Sequence, residues 1–459
     1  MGVDTVIAGG TLVTAAETFE AALAIDGGEI VGVGEERALP DATERIDASG
    51  HLVMPGIIDP HVHVDDHVSI DSYESATRAA ALGGVTTLID FAWQAYAGDE
   101  SAWDEPAPLL EGVEEKRANA SEALVDFGLH GGVLREDDDL FEELADVIDA
   151  GVTSFKMYTA YDFGLSNGFI GRVFEHLSEH GAVGIVHSED DSVCEARTEE
   201  LRSAGRDDPE DYPKSRPDYA EAMAAEDVVR LASEAGAKYY GIHTTCRASA
   251  DVLDNFHEDG SQVRAETCVH YTTLDDSVYA DQGNLPKIAP PIRSTDDVEA
   301  MFEHLRRSTL SVVSTDHVAA KRADKEDRPW WQGPFGANSV QRSLPVFHDE
   351  AVNRRGFSYP FLVRVMSANP ARTFGLPKKG TLEPGTDADI VIFDPDATRT
   401  ITADDNASRA DYSIYEGRKV TGSVATTLVR GTVVADDGEV VTEPGHGKFV
   451  ERDLPDWSA

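Results

Sequence analysis

Short apolar runs alternate with longer amphipathic stretches from about residue 57 to about residue 374. We count eight such runs, namely the segment ending at residues 61–63 and residues 84–91, 124–129, 153–158, 183–187, 239–244, 263–269 and 310–316. Helical periodicity between them covers residues 72–82, 138–150, 170–180, 221–235 and 296–307. A short apolar run followed by a helical pattern is typical of a β-α unit in a parallel sheet. Eight such units predict an α/β fold, a (β/α)8 TIM barrel.

The two ends of the chain have a different pattern. Residues 3–54 and 380–443 are rich in valine, isoleucine, glycine and threonine and show no helical period. Short strands separated by turns fit this composition. Because two β-rich flanks enclose one barrel, we expect them to form a single small β-sandwich domain. The predicted division is 1–54 and 376–459 for the sandwich and C-terminal tail, and 55–375 for the barrel.

The charge is strongly acidic, with 85 Asp and Glu against 39 Lys and Arg and a formal net charge of −46. The acids are spread along the whole chain, so they predict a coat over the surface and not a charged tail. Such a coat repels nucleic acid and anionic membranes, and neither is an expected partner. In molar salt the Debye length falls to about 3 Å and the self-repulsion is screened. We expect a cytoplasmic protein of a salt-accumulating halophile; the alternative is an acidic enzyme from an ordinary-salt organism.

The spacing of the cysteines and the hydropathy of the chain are consistent with a cytoplasmic location. Cys194, Cys246 and Cys268 are far apart and form no C-x-x-C pair, so neither a thiolate zinc site nor a disulfide framework is expected. There is no run of about 18 apolar residues and no basic, apolar leader at the start of the chain. These features predict a reducing compartment and no membrane span.

Metal-ligand residue types stand at the ends of several predicted strands. His61 and His63 lie one residue apart, and side chains alternate along a strand, so both rings point to one side and can bind one ion. Four further strand ends carry Lys156, His187, His243 and Asp316. In a TIM barrel these ends meet at the C-terminal face, so the sequence predicts a metal centre there.

The residue types also indicate the metal. Imidazoles with a carboxylate suit zinc, or manganese, cobalt, nickel or iron in its place, and do not suit calcium. Lys156 is unusual, because an ammonium has no lone pair and repels a dication. If its amine adds CO2, the resulting carbamate is an anionic oxygen ligand that can bridge two ions. Two divalent ions about 3.5 to 4 Å apart can activate a shared hydroxide.

The chain resembles the amidohydrolase superfamily, and within it the hydantoinases and dihydropyrimidinases. The motif Pro-Gly-Ile-Ile-Asp-Pro-His-Val-His at 55–63 carries this resemblance most clearly. It extends over nearly the whole chain through residues 154–158, 187–189, 243–245, 266–268, 380–382 and 387–391.

The resemblance implies a role for each ligand-type residue. One metal ion would be held by His61, His63, the carbamylated Lys156 and Asp316, and the other by Lys156, His187 and His243. A metal-bridging hydroxide would attack a ring carbonyl, Asp316 would carry its proton to the leaving nitrogen, and Tyr161 would donate to the oxyanion. The resemblance also implies a homo-oligomer, either a tetramer or a dimer.

The substrate class depends on residues near these ligands. Similar dihydroorotases carry a carboxylate-binding arginine two residues after the second histidine, where this chain has Asp65. An acid there repels a carboxylate and resembles the hydantoinase pattern, so Asp65 is a candidate substrate-binding residue. The favoured substrate is therefore a dihydropyrimidine or a 5-substituted hydantoin.

Other residues favour allantoinase. Ala289 stands where hydantoinases usually have serine, and Asn338 lies in a loop that departs from their Asn-Gly-x-Pro-Gly pattern. Both segments are expected to hold the ring through main-chain hydrogen bonds, which makes Ala289 and Asn338 candidate substrate contacts. Tyr161 is a further candidate contact, through the oxyanion donation that the resemblance implies. Allantoinase and then dihydroorotase remain alternatives. A non-catalytic, dihydropyrimidinase-related scaffold protein is a different class, and retention of every ligand argues against it.

Overall fold

A parallel sheet of eight strands forms the centre of the protein, in a computed structural model that describes residues 2–95 and 106–458. Each strand pairs with the next one along the chain. The strands are β1 (Ile57–Asp59), β2 (Val85–Trp93), β3 (Asp126–Gly132), β4 (Ser154–Tyr158), β5 (Val183–His187), β6 (Lys238–Gly241), β7 (Val263–Cys268) and β8 (Val312–Ser314). The segments that follow β8 and β1 close the ring, since the amide of His63 donates to the carbonyl of His317 at 2.8 Å. The predicted TIM barrel is confirmed.

Two of the strands end earlier than their apolar runs do. β8 stops at Ser314 and β6 at Gly241, while Asp316 and His243 lie beyond them with φ angles of 47° and 38°. Positive φ is uncommon for residues other than glycine. At both positions the backbone therefore leaves the sheet just before a predicted ligand, which a period-two pattern does not reveal.

Helices alternate with the barrel strands. The five predicted helices are present as Tyr73–Leu82, Asp139–Asp149, Asn167–His180, Asp218–Ala235 and Thr295–Arg307. Further helices are Leu109–Asn119, Asp191–Ser203, Tyr212–Ser215, Arg247–Glu258, Val269–Thr273, Val278–Gln282, Arg322–Glu326, Ser343–His348, Tyr359–Val363 and Asn369–Phe374. Among the helices in the described ranges, none is both long enough and apolar enough to cross a membrane.

Strands from both ends of the chain form the second domain. One sheet has, in spatial order, Glu439–Val440, Thr432–Asp436, Lys419–Val429, Ile390–Thr400, Leu52–Pro55, Thr11–Val13 and Thr18–Glu20. The other has Glu29–Gly34, Ala22–Asp26, Val3–Ala8 and Ala42–Asp47. Most neighbours are antiparallel, and the buried side chains of Leu12, Ile25 and Ile390 lie in one cluster. The expected β-sandwich built from both termini is confirmed.

The last part of the chain returns to the barrel. In this C-terminal strap, residues 445–457, the carbonyl of Lys448 accepts from the amide of Phe127 at 2.9 Å. Arg452 enters the barrel and donates to Ser154 Oγ at 2.9 Å. Because Phe127 and Ser154 lie near the starts of β3 and β4, the strap covers the N-terminal end of the barrel. The opposite end carries the predicted ligands.

Candidate active site

The six predicted metal ligands line one cavity of about 360 Å³ at the C-terminal end of the barrel. All six side chains are buried. They come from five strands or the residues directly after them: His61 and His63 from β1, Lys156 from β4, His187 from β5, His243 from β6 and Asp316 from β8. Separate parallel strands thus bring to one place residues that are distant in sequence.

The ligand atoms form two adjoining groups. Asp316 Oδ1 lies 3.0 Å from His61 Nε2 and 3.7 Å from His63 Nε2. Next to them, His187 Nδ1 lies 2.9 Å from His243 Nε2, and the ring centroids of His61 and His243 are 5.4 Å apart. Imidazole nitrogens and a carboxylate oxygen at such spacing fit a divalent transition metal or zinc.

Buried carboxylates orient two of these rings. His61 Nδ1 lies 2.7 Å from Glu266 Oε1, and His187 Nε2 lies 2.9 Å from Glu189 Oε2. A carboxylate that accepts from one ring nitrogen leaves the other nitrogen free of hydrogen and able to bind a metal. The second nitrogens of these rings, His61 Nε2 and His187 Nδ1, face the other ligands.

Glu266 contacts more than one part of the site. Besides the His61 ring, this fully buried carboxylate accepts from Tyr240 Oη at 2.7 Å and from the amide of His243 at 3.2 Å. It therefore holds the ring of one ligand and the main chain of another, at the residue where the backbone has a positive φ.

Lys156 is the sixth ligand candidate, and its surroundings favour a neutral amine. Burial lowers the pKa of Lys156 to about 7, although the carboxylates of Asp316 and Glu266 act to raise it. Its Nζ lies 4.9 Å from the ring centroid of Tyr158. An amine with this pKa has a lone pair in a large fraction of molecules at neutral pH, which is the form that can add CO2.

Tyr161 lies on the loop after β4 and lines the same cavity. Its backbone has a φ of 72°, and its amide donates to Asp191 Oδ1 at 2.9 Å. The ring centroid is 5.1 Å from that of His187. Burial raises the pKa of the Tyr161 hydroxyl above its usual value, so the group stays protonated and can donate a hydrogen bond.

The other three candidate substrate contacts have different positions. Ala289 lines the cavity, whereas Asp65 and Asn338 are not among the described residues that do so. The amide of Asp65 donates to the carbonyl of Asp71 at 2.7 Å, and the carbonyl of Asp65 accepts from Lys116 Nζ at 3.2 Å. Asn338 is buried, and its Oδ1 has no hydrogen-bond partner among the described residues.

Several functional neighbours were not assigned a role from the sequence. Glu189 and Glu266 fall within matching motifs, which is the signal that could have identified them, but Arg216 had no such signal. The cavity wall is largely apolar and includes Val68, Trp93, Leu134, Tyr158, Phe163, Val318, Pro334 and Phe335. Such a wall suits a small organic ring and restricts water around it.

Comparison with known proteins gives consistent matches over nearly the whole length. The chain is 34% identical to a D-hydantoinase of Geobacillus stearothermophilus, over 97% of this chain and 96% of the relative. It is 31% identical to an allantoinase of Escherichia coli, over 98% of this chain and 99% of the relative. The crystal structure of a dihydropyrimidinase from Brevibacillus agri superimposes with a TM-score of 0.93 at 30% identity, covering 98% of this chain and 99% of that one.

The family comparison agrees with these relatives. The model of the amidohydrolase family matches residues 52–434, which include all eight barrel strands and every predicted metal ligand. The protein therefore belongs to the amidohydrolase family.

Proposed function

We propose that the protein is a metal-dependent hydrolase that opens a cyclic amide, either a dihydropyrimidine or a 5-substituted hydantoin. The observation that carries the proposal is the convergence of four histidines, a buried lysine and Asp316 on one apolar-walled cavity. The similarity to a D-hydantoinase and a dihydropyrimidinase supports the substrate class.

The donor set fits two divalent ions. His61, His63 and Asp316 would hold one ion, and His187 and His243 the other, with Lys156 as a carbamate common to both. Zinc suits these ligands, and manganese, cobalt, nickel or iron can replace it. When bound, the ions would lower the pKa of a water molecule and polarise the ring carbonyl.

The side chains then perform proton transfer and orientation. Asp316 would accept a proton from the attacking water and pass it to the ring nitrogen as the amide bond breaks. Tyr161, protonated and facing the cavity, would donate to the oxygen on which negative charge develops. The backbone around Ala289 and Gly336, which both line the cavity, would hold the ring.

Allantoin hydrolysis is the second candidate function. It is favoured by Ala289 in the cavity wall and by 31% identity to an allantoinase. Dihydroorotate is disfavoured because the carboxylate of Asp65 would repel the carboxylate of that substrate. The Asp65 side chain does not line the cavity, so this repulsion would act over a longer distance than a direct contact.

Ring-opening assays test these alternatives. The protein is stripped with a chelator, reloaded with zinc and assayed in multimolar KCl on dihydrouracil, a 5-substituted hydantoin, allantoin and dihydroorotate. We expect activity only after reloading, with dihydrouracil or the hydantoin preferred. Absence of both bound metal and ring opening would favour the scaffold alternative, and dihydroorotate as the best substrate would contradict the assignment.

We also propose a homo-oligomeric, cytoplasmic enzyme in a salt-accumulating cell. The family resemblance supports a tetramer or a dimer, and the net charge of −46 supports the high-salt setting. Light scattering coupled to size-exclusion chromatography in molar KCl would give the oligomeric state.

A further inference from the structure

Arg216 is a buried cation behind the wall of the substrate cavity. It lies in the short link between helices Tyr212–Ser215 and Asp218–Ala235, and only 9% of the residue is exposed. A buried guanidinium is costly unless it is paired and hydrogen-bonded. Its partners are therefore a guide to what it does.

The first partner is the carboxylate that orients a metal ligand. Arg216 forms two hydrogen bonds with the Glu189 carboxylate. Its Nε donates to Oε1 at 2.9 Å, and its Nη2 donates to Oε2. The same Oε2 lies 2.9 Å from His187 Nε2. Since the guanidinium fixes the carboxylate, it also fixes the orientation of the His187 ring and leaves Nδ1 free for the metal.

The second partner is the tyrosine that faces the substrate. Arg216 Nη2 lies 3.4 Å from Tyr161 Oη, and the guanidinium carbon is 5.3 Å from the centroid of the tyrosine ring. A guanidinium has donors and no acceptor, so Tyr161 cannot donate its hydrogen to Arg216. The hydroxyl must accept from the arginine, which leaves its own hydrogen available to the cavity.

We propose that Arg216 is a positioning residue for ring opening, which directs the Tyr161 hydroxyl hydrogen at the substrate and, through Glu189, holds His187 in its metal-binding orientation. This inference rests on the proposed function and adds to it a residue that links oxyanion donation to metal binding. Arg216 acts through its neighbours and does not line the substrate cavity.

A double-mutant cycle tests the link to Tyr161. Lysine keeps the charge of Arg216 but cannot form the two-point contact. We expect Arg216→Lys to lower kcat about 10- to 100-fold with a smaller change in KM, and Tyr161→Phe to lower it about 10²- to 10³-fold. With zinc at saturation, the double variant should lie within about threefold of Tyr161→Phe alone, because the two residues act as one unit. Equal reductions of kcat by Arg216→Lys in both backgrounds would overturn this link.

Zinc affinity of the stripped protein, measured by competition with a chelating dye, tests the link to His187. Arg216→Lys and Glu189→Gln should each weaken zinc binding about 10- to 100-fold, whereas Tyr161→Phe should not. Unchanged affinity in Glu189→Gln would overturn this link, even if Arg216→Lys failed to fold.

Arg206→Lys is the matched control. Arg206 Nε also donates to a carboxylate, Asp211 Oδ2, at 3.0 Å, but Arg206 is half exposed and does not line the substrate cavity. It should have wild-type kcat and zinc affinity. If the wild-type protein opens none of the rings, the proposed function fails, while the zinc measurements still decide the His187 link.

Discussion

Replacing Glu266 with glutamine should weaken metal binding while leaving the metal-free fold nearly as stable. The carboxylate is fully buried and accepts three hydrogen bonds, from the His61 ring, the His243 amide and Tyr240 Oη. Glutamine has almost the same shape and keeps one acceptor oxygen. It lacks the negative charge, and its amide NH2 group would face the Tyr240 hydroxyl, which now donates to Glu266.

The size of the effect follows from these contacts. Hydrogen bonds to charged groups contribute about 1.5–3 kcal/mol each, and neutral ones about 0.5–1.5 kcal/mol. Loss of about 1 kcal/mol at each of the two ligand contacts gives about 2 kcal/mol, which corresponds to about a 30-fold weaker zinc affinity. Without metal, the loss is offset because a buried carboxylate no longer has to be desolvated.

The assay compares thermal unfolding and zinc affinity in stripped and zinc-loaded protein. Glu221→Gln is the matched control, since Glu221 is also buried and accepts from Arg293 Nη2 at 3.0 Å and from the amide of Thr245 at 3.0 Å. The Glu221→Gln variant should differ from Glu266→Gln in both quantities. Zinc affinity stays unchanged, while stability falls by about 3–5 kcal/mol because Arg293 loses its ion pair. Wild-type zinc affinity in Glu266→Gln would refute the reasoning.

Three further predictions concern the bridging ligand, the charge coat and the strap. Lys156→Ala should abolish ring opening and reduce bound metal, with partial rescue by short carboxylic acids; undiminished turnover would contradict the bridging role. The melting temperature should rise from low to multimolar KCl, because the Debye length falls from about 10 Å at 0.1 M to about 3 Å at 1 M; an unchanged value counts against halophily. Gly375→Ala should be destabilised in urea by about 1–3 kcal/mol more than Gly417→Ala. Both glycines have φ near 70°, but of the two only Gly375 would bring a Cβ into collision with the strap, at the carbonyl oxygen of Asp453. Equal losses would therefore refute a packing role.

The barrel and its six ligand candidates could be predicted because both depend on local patterns. An apolar run followed by a helical period specifies a β-α unit, and the C-terminal ends of parallel strands meet at one face. Residues such as His187, at the end of its strand, could therefore be assigned to the site without knowledge of any contact. Asp316 was predicted at a strand end but lies two residues beyond it, because its positive φ belongs to a loop.

The sequence by itself determined the fold class, the β-sandwich built from both ends and the residue types that converge at the mouth of the barrel. Only the tertiary structure decided which carboxylate meets which ring: Glu266 reaches His61 across 205 residues, and Arg216 reaches Glu189 across 27. The tertiary structure also places the Asp65 side chain outside the cavity wall and the C-terminal strap at the N-terminal end of the barrel. The physical reason is that periodicity sets the direction of a side chain relative to its own strand or helix, whereas hydrogen-bond partners depend on how separate elements pack.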